Sequence, residues 1–171
     1  MTKTVIVTGA ARGIGLATTG LFLSEGWQVA MVDRDGQELA LAAGPLDHVT
    51  PFLCDVSDPN AVMDMIAGVQ AWTGRLDALV NNAGVADFGP IEETSFERWR
   101  TIMATNLDGV FLCSQAAIPL LKDSKGAIVN IASISGLRAS TLRTAYGTSK
   151  AAVIHLTQQQ AAELGEYGIR S

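Results

Sequence analysis

Short apolar runs alternate with longer amphipathic segments along the chain. The runs are rich in β-branched residues and lack polar alternation, which indicates strands buried on both faces. Strands are predicted at residues 4–8, 28–32, 49–54, 76–80 and 126–132. The segments between them show helical periodicity and predict helices at residues 14–25, 37–43, 58–72, 95–121 and 145–167.

A helix after every strand is typical of a parallel sheet that is covered by helices on both sides. We therefore predict an α/β fold with a doubly wound parallel sheet of the Rossmann type. No repeat, linker or charge block interrupts the series, so residues 1–171 are predicted to form a single domain. Gly109 and Pro119 are expected to bend or end the fourth helical segment.

A glycine-rich turn, TGAARGIG at residues 8–15, joins the first strand to the first helix. Its glycines permit positive φ angles and let the backbone approach a pyrophosphate, and the helix N-terminus presents free N–H groups to that anion. The predicted phosphate-binding residues are Gly9, Arg12, Gly13, Ile14 and Gly15. An ordinary strand-to-helix turn is the alternative interpretation.

An acidic residue, Asp33, follows the second predicted strand. A carboxylate at this place can accept hydrogen bonds from the adenosine ribose hydroxyls and would repel a 2′-phosphate, so NAD is favoured over NADP. The guanidinium of Arg12 or Arg34 could approach a phosphate, which keeps NADP possible. Solvated turn residues are the alternative for both Asp33 and Arg34.

Two further strand ends carry residues suited to a dinucleotide. Asp55 and Val56 are predicted to lie beside the adenine, with a helix N-cap as the competing role for Asp55. The small and amide residues Asn82, Ala83 and Gly84 are predicted to let the cofactor pass, with a plain turn as the alternative.

A tyrosine and a lysine, Tyr146 and Lys150, are spaced four apart on a predicted helix and therefore share a face. A free tyrosine, with a pKa of about 10, is a poor acid or base at neutral pH, and a neighbouring ammonium favours its phenolate form. Tyr146 and Lys150 are also predicted to bind the cofactor, with Lys150 reaching its ribose. Ser133, at the end of the fifth strand, is predicted to bond the substrate oxygen, and Asn106 to hold a water near Lys150. A surface helix pair and a solvent-facing asparagine are the alternatives.

Composition narrows the function classes. A net charge of −5 argues against binding to nucleic acid or to an anionic membrane surface. No apolar stretch is long enough for a membrane span, and no signal peptide is visible, so a cytoplasmic location is predicted. Cys54 and Cys113 lie in apolar runs, which indicates core packing, and no metal site is predicted.

These motifs together resemble those of the short-chain dehydrogenase/reductase family, including its 3-oxoacyl-ACP reductase-like and alcohol dehydrogenase-like members. The resemblance covers residues 4–170. It implies an NAD(P)-dependent oxidoreductase that interconverts an alcohol and a carbonyl compound with a catalytic tetrad of Asn106, Ser133, Tyr146 and Lys150. Tyr146 would exchange the proton with the substrate oxygen, and Lys150 would hold the nicotinamide ribose. It also implies a homodimer or homotetramer that pairs the helices at 95–121 and 145–167.

Members of that family continue beyond the position that matches Arg170, so a C-terminally incomplete sheet and substrate pocket are expected for these residues. Two alternatives follow: a catalytically impaired dinucleotide-binding fragment, and an interaction module that pairs through its exposed edge. Residues 138–144 are predicted to shape the substrate pocket, but their composition selects no particular carbonyl compound.

Overall fold

The computed structural model describes residues 2–171 and contains one parallel sheet. Its strands follow the order β3-β2-β1-β4-β5. The bounds are Thr4–Thr8 (β1), Gln28–Asp33 (β2), Val49–Leu53 (β3), Ala78–Asn81 (β4) and Ala127–Asn130 (β5). All four neighbouring pairs are parallel. The predicted α/β fold with a doubly wound sheet is therefore confirmed.

Helices connect the strands and cover both faces of the sheet. They are Gly13–Ser24 (α1), Gly36–Ala43 (α2), Pro59–Thr73 (α3), Phe96–Met103 (α4), Gly109–Ser124 (α5), Ile134–Leu137 (α6) and Thr144–Leu164 (α7). Short 3₁₀ turns lie at Ile91–Glu93 and Gly165–Tyr167. None of the helices within residues 2–171 combines the length and apolarity that crossing a membrane requires.

The strands divide their side chains between two cores. In β1, Val5 and Val7 face the cluster that includes residues of α1 and α2, whereas Ile6 faces the cluster built with α3 and α5. All five residues of β1 are buried. This two-sided burial explains why the strands read as continuous apolar runs and not as alternating ones.

Residues 95–121 were predicted to form a long helical segment that Gly109 and Pro119 would bend or end, and the structure interrupts this segment at a different place. The segment consists of α4, a π-helical turn at Ala104–Asp108, and α5, which runs through Pro119 to Ser124. The helix survives Pro119 because Ala117, Leu120 and Leu121 are buried around it, and packing outweighs local propensity. Neither Gly109 nor Pro119 ends it.

Other predicted bounds differ from the structure by a few residues, as helix and strand ends commonly do. The helix predicted at 145–167 differs most at one end, because α7 ends at Leu164 and a 3₁₀ turn follows. The fifth strand, predicted at 126–132, ends at Asn130 together with its ladder to β4. Beyond it, Ser133 caps the short helix α6, which was not predicted. The Ser133 hydroxyl accepts a hydrogen bond from the N–H of Ser135, so this residue belongs to the start of α6 and not to the ladder.

The strand order reverses between β1 and β4, and this reversal identifies where on the sheet a ligand would bind. From β1 the chain proceeds outward through β2 and β3, then returns to β4 on the other side of β1. The loops that follow β1 and β4 therefore diverge and leave a crevice at the carboxyl ends of the strands. Ligands of such sheets bind at this switch point.

Candidate active site

A cavity of about 550 Å³ opens at this switch point. The residues after β1, β2, β3 and β4 line it, which brings most of the predicted cofactor-binding residues together: Gly9, Arg12, Ile14, Asp33, Arg34, Asp55, Val56, Asn82, Ala83 and Gly84. Gly13, Gly15, Tyr146 and Lys150 are not among its lining residues. Sequence reasoning missed others that do line it, namely Val32, Asp35, Cys54, Val85 and Thr105.

Hydrogen bonds join the loop after β1 to the loop after β4. The Thr8 hydroxyl accepts from the backbone N–H groups of Asn82 and Ala83, both at 3.0 Å. In return, the Asn82 side-chain amide donates to the carbonyls of Thr8 at 2.9 Å and Gly9 at 3.2 Å. The two walls of the crevice are thus held at a fixed separation by their own polar groups.

Glycine is required at two positions of the first loop. Gly9 has a φ of +64°, in the left-handed region that favours glycine. Gly15 is constrained by space, because a Cβ there would lie 2.1 Å from the Gly9 carbonyl oxygen and 2.7 Å from the Asn82 amide nitrogen. The start of α1 can therefore approach both loops only without a side chain.

The Asp33 carboxylate lies at the end of β2 and is held by the backbone. One oxygen accepts from the N–H of Ala11 and the other from the N–H of Asp35, each at 3.1 Å. Arg12 forms an exposed ion pair with Asp35. A hydrogen bond from the Glu38 backbone and the Arg12 guanidinium lower the pKa of Asp35. Arg12 thus has a carboxylate partner beside the crevice.

The acid after β3, Asp55, accepts hydrogen bonds from both the N–H and the hydroxyl of Ser57. Burial alone would raise its pKa, but these bonds and the charge of Arg34 lower it. Asp58, not Asp55, caps helix α3. Burial raises the pKa of the neighbouring Cys54 thiol to about 11, so that side chain stays protonated at neutral pH.

The Lys150 ammonium is buried and hydrogen-bonded. Its side chain is 4% exposed, and Nζ donates to the carbonyl of Ile131 at 2.6 Å. Nζ lies 6.0 Å from the centroid of the Tyr146 ring. Burial lowers the pKa of Lys150. The structure therefore brings together the lysine and tyrosine that the four-residue spacing predicted to share a face.

Asn106 lies in the π-helical turn and is fully buried. Its carbonyl oxygen accepts from the N–H of Val85 at 2.8 Å, and its amide donates to the Val85 carbonyl at 2.9 Å and to the Ser149 hydroxyl at 3.1 Å. The solvent-facing alternative for Asn106 is excluded. The residue instead ties the loop after β4 to helix α7 next to Lys150.

Ser133 begins α6, and its hydroxyl oxygen accepts from the N–H of Ser135 at 3.2 Å. Helix α6 lies directly on α7, because a Cβ on Gly136 would come within 2.6 Å of the Lys150 carbonyl carbon. This close contact places α6, which Ser133 caps, against the helix that carries Tyr146 and Lys150. A cluster of three or more His, Cys, Asp or Glu side chains able to hold a metal ion does not occur among residues 2–171.

Comparison with known protein families shows to which family the chain belongs. The family model described as short chain dehydrogenase matches residues 3–171. The chain belongs to the short-chain dehydrogenase family. Members of this family are oxidoreductases that use nicotinamide dinucleotides, and the crevice at the switch point is where the fold places such a ligand.

Two relatives and one solved structure illustrate the similarity. The chain is 39% identical over 170 residues to meso-2,3-butanediol dehydrogenase of Serratia marcescens, covering 98% of this chain and 68% of the relative. It is 42% identical over 147 residues to "inactive 2-(S)-hydroxypropyl-CoM dehydrogenase 2" of Xanthobacter autotrophicus, covering 85% and 64%. The crystal structure of 3-ketoacyl-(acyl-carrier-protein) reductase from Brucella melitensis complexed with NADH superposes with a TM-score of 0.95 at 29% identity, covering 98% and 72%. The chain thus spans about two thirds of the length of these relatives.

Replacement of Asn106 by alanine tests the brace between the loop after β4 and α7 in this short-chain dehydrogenase. Loss of its hydrogen bonds leaves the N–H and carbonyl of Val85 unsatisfied, so the free energy of unfolding should fall by about 1–3 kcal/mol. Chemical denaturation measures the change. Asn60→Ala, at an exposed position of α3, is the matched control and should have little effect. Equal denaturation midpoints for the two variants would contradict the assignment.

Proposed function

We propose that this protein is an NAD(P)-dependent oxidoreductase that interconverts an alcohol and a ketone or aldehyde. The observation that carries the proposal is the joint placement of Tyr146 and the buried Lys150 next to a glycine-lined crevice at the switch point of the sheet. This arrangement supplies a proton-transfer pair beside a site suited to a dinucleotide.

The crevice residues fit a dinucleotide. The backbone comes close to the crevice at Gly9 and Gly15, where there is no side chain, as a pyrophosphate site requires. The Asp33 carboxylate would accept from the adenosine ribose, and Asp55 with Val56 would flank the adenine. Asn82, Ala83 and Gly84 would lie beside the middle of the dinucleotide. Lys150 would reach the nicotinamide ribose, because its Nζ would lie only 3.7 Å from a Cβ on Gly84.

Four side chains would transfer the proton and position the substrate. A bound nicotinamide would supply the hydride acceptor for oxidation of the alcohol carbon and the hydride donor for the reverse reduction. Tyr146 removes the hydroxyl proton in oxidation and returns it in reduction. Ser133 positions the substrate oxygen, and Lys150 stabilises the phenolate by its charge. Asn106 would anchor a water that connects Lys150 to solvent.

NAD is the proposed cofactor, with NADP as the weaker ligand. Asp33 faces the crevice, and Arg12 already has a carboxylate partner in Asp35. The Asp33 carboxylate at the end of β2 would therefore repel a 2′-phosphate, and the Arg12 guanidinium is already paired.

Asp33→Asn should shift the ratio of NAD to NADP affinity by about tenfold toward NADP, because the charge that accepts from the ribose hydroxyls and repels the phosphate is lost. Calorimetric titration of both dinucleotides measures the ratio. Asp64→Asn, an equal charge change on the exposed side of α3, should leave it unchanged. A ratio that is the same in both variants would exclude Asp33 as the selecting residue.

A panel of alcohols and ketones, followed by the absorbance of the reduced nicotinamide, tests the proposed function directly. The second candidate is a dinucleotide-binding protein without turnover, and the 42% identity to a relative named as inactive favours it. Dinucleotide binding together with turnover supports the first candidate. Binding without turnover supports the second, and absence of binding by the folded protein excludes both.

A homodimer or homotetramer stays a prediction. The α4–α5 face carries the exposed apolar side chains Phe96 and Phe111, which are 76% and 47% exposed. Large exposed aromatic side chains are typical of a protein interface. Sedimentation at several concentrations measures the state.

A further inference from the structure

A guanidinium lies beside Tyr146 that the proposed mechanism does not use. The carbon at the centre of the Arg143 guanidinium is 5.8 Å from the centroid of the Tyr146 ring. The same group stacks on Phe88 at 4.5 Å. Arg143 is half-buried, so its charge is partly removed from water. Stacking on an aromatic ring fixes a guanidinium while leaving its N–H donors free at the edge.

The backbone holds Arg143 at this place. An isolated parallel bridge pairs it with Gly89 in the loop after β4, and the N–H of Gly89 donates to the Leu142 carbonyl at 3.1 Å. Leu142 has a φ of +60°, an unfavourable conformation for a residue with a branched side chain. A strained residue held by its surroundings next to a reactive group is typical of a functional position.

Arg143 has no carboxylate partner within residues 2–171. The ion pairs of this part of the chain join Arg12 to Asp35, Arg75 to Asp77 and Arg98 to Asp87. Asp87, the acid next to Phe88 in the chain, is therefore already engaged by another arginine. A half-buried, oriented and unpaired guanidinium favours a ligand that brings its own negative charge.

We propose that Arg143 binds an anionic group of the substrate, so that the preferred alcohols and ketones are small hydroxy and oxo acids. The inference rests on the proposed function, because it places the substrate oxygen at Tyr146. With the oxygen there, a carboxylate or similar planar anion a few bonds away reaches the Arg143 guanidinium. Binding at that point fixes which side of the substrate carbon faces the crevice.

Arg143 has one competing role, which is to pack against Phe88 and shape the loop. A packing role would affect charged and neutral substrates equally. An anion-binding role would affect only charged substrates, so a matched pair that differs in one charge separates the two roles.

The experiment measures kcat/KM for 3-hydroxybutyrate and for its methyl ester with the wild-type protein and three variants. Arg143→Gln removes the charge and keeps a polar chain. Arg143→Lys keeps the charge but not the planar fork. Arg170→Gln is the matched control, because Arg170 is exposed and its backbone pairs with Ala127 at the start of β5, at the opposite end of the sheet from the crevice.

We expect the wild-type protein to prefer the acid, and Arg143→Gln to lower kcat/KM for the acid by about 10–100-fold with little change for the ester. Arg143→Lys should restore part of the loss, and Arg170→Gln should resemble the wild type. Equal losses for acid and ester, no preference in the wild type, or an equal effect of Arg170→Gln would each overturn the inference.

Titration calorimetry with acetoacetate and its methyl ester gives the same comparison without turnover, because oxidised NAD has no hydride to transfer to a ketone. With NAD present, the wild-type protein should bind the acid more tightly than the ester, and Arg143→Gln should abolish the difference. Binding of NAD without discrimination between acid and ester overturns the role of Arg143 and leaves the proposed function intact. Absence of NAD binding overturns the proposed function itself, and the inference with it.

Discussion

Replacing Tyr146 by phenylalanine should lower kcat by about 10²–10⁴-fold, the usual contribution of a positioned proton donor. The substitution removes only the phenol oxygen and keeps the ring beside Lys150 and Arg143. Dinucleotide affinity should therefore stay close to that of the wild type, because no crevice-lining group is altered. Steady-state rates and a calorimetric titration of NAD on the same preparations separate the two quantities.

The chain offers a matched control in Tyr167, its other tyrosine. Its ring lies under the Lys122 ammonium, 3.3 Å from Nζ to the centroid, after the end of α7 and away from the crevice. Tyr167→Phe makes the same chemical change and should leave kcat unaltered. Wild-type turnover in Tyr146→Phe would refute the assigned proton transfer, whereas a parallel loss in both variants would point to a general effect on folding.

Gly15→Ala should damage both the fold and the cofactor site. The added methyl carbon would lie 2.1 Å from the Gly9 carbonyl oxygen, a backbone atom that has no free rotation to move aside. We expect the free energy of unfolding to fall by about 1–3 kcal/mol, as overpacking of a fixed site does. Displacement of the loop should also weaken NAD binding by about tenfold or more. Chemical denaturation and calorimetry measure the two effects.

Gly20→Ala is the control for this substitution in the same helix. A Cβ at Gly20 meets nothing within 4 Å, and its backbone is helical. Alanine there should stabilise the protein by about 0.5–1 kcal/mol, because it has the higher helix propensity. If both variants were equally stable and bound NAD equally, the close approach of α1 to the loops would not be a requirement of the site.

The fold was accessible from the sequence because its central strands β1, β2 and β4 are buried on both faces. Runs such as residues 4–8 stay apolar without interruption, and each is followed by helical periodicity, so element type and order could be assigned. The π-helical turn could not be predicted, because its cause is not local. Asn106 disfavours a regular helix, and it is held by Val85 and by Ser149, which is 43 positions away in the chain.

The cofactor side of the candidate site was also predictable, since its residues follow strand ends that meet at one edge. The crevice residues that the sequence analysis missed are placed there for a different reason. Val32, Cys54 and Val85 line it because of sheet register and loop path, and nothing in their type marks them. Arg143 lay within a segment predicted to shape the pocket, but its contact with Phe88 depends on a bridge to Gly89 that no local pattern indicates.

The hydrogen bonds between Thr8 and the segment after β4 affect how a ligand is bound. Flexible loops that close around a ligand lose conformational entropy at that moment, which weakens the affinity. Here the Thr8 hydroxyl and the Asn82 amide restrict both walls when the chain folds. Most of this entropy is therefore lost before any dinucleotide arrives. Dinucleotide affinity and fold stability are consequently linked. A substitution that loosens the Thr8 hydrogen bonds should weaken both, and no change at this residue can alter one without the other.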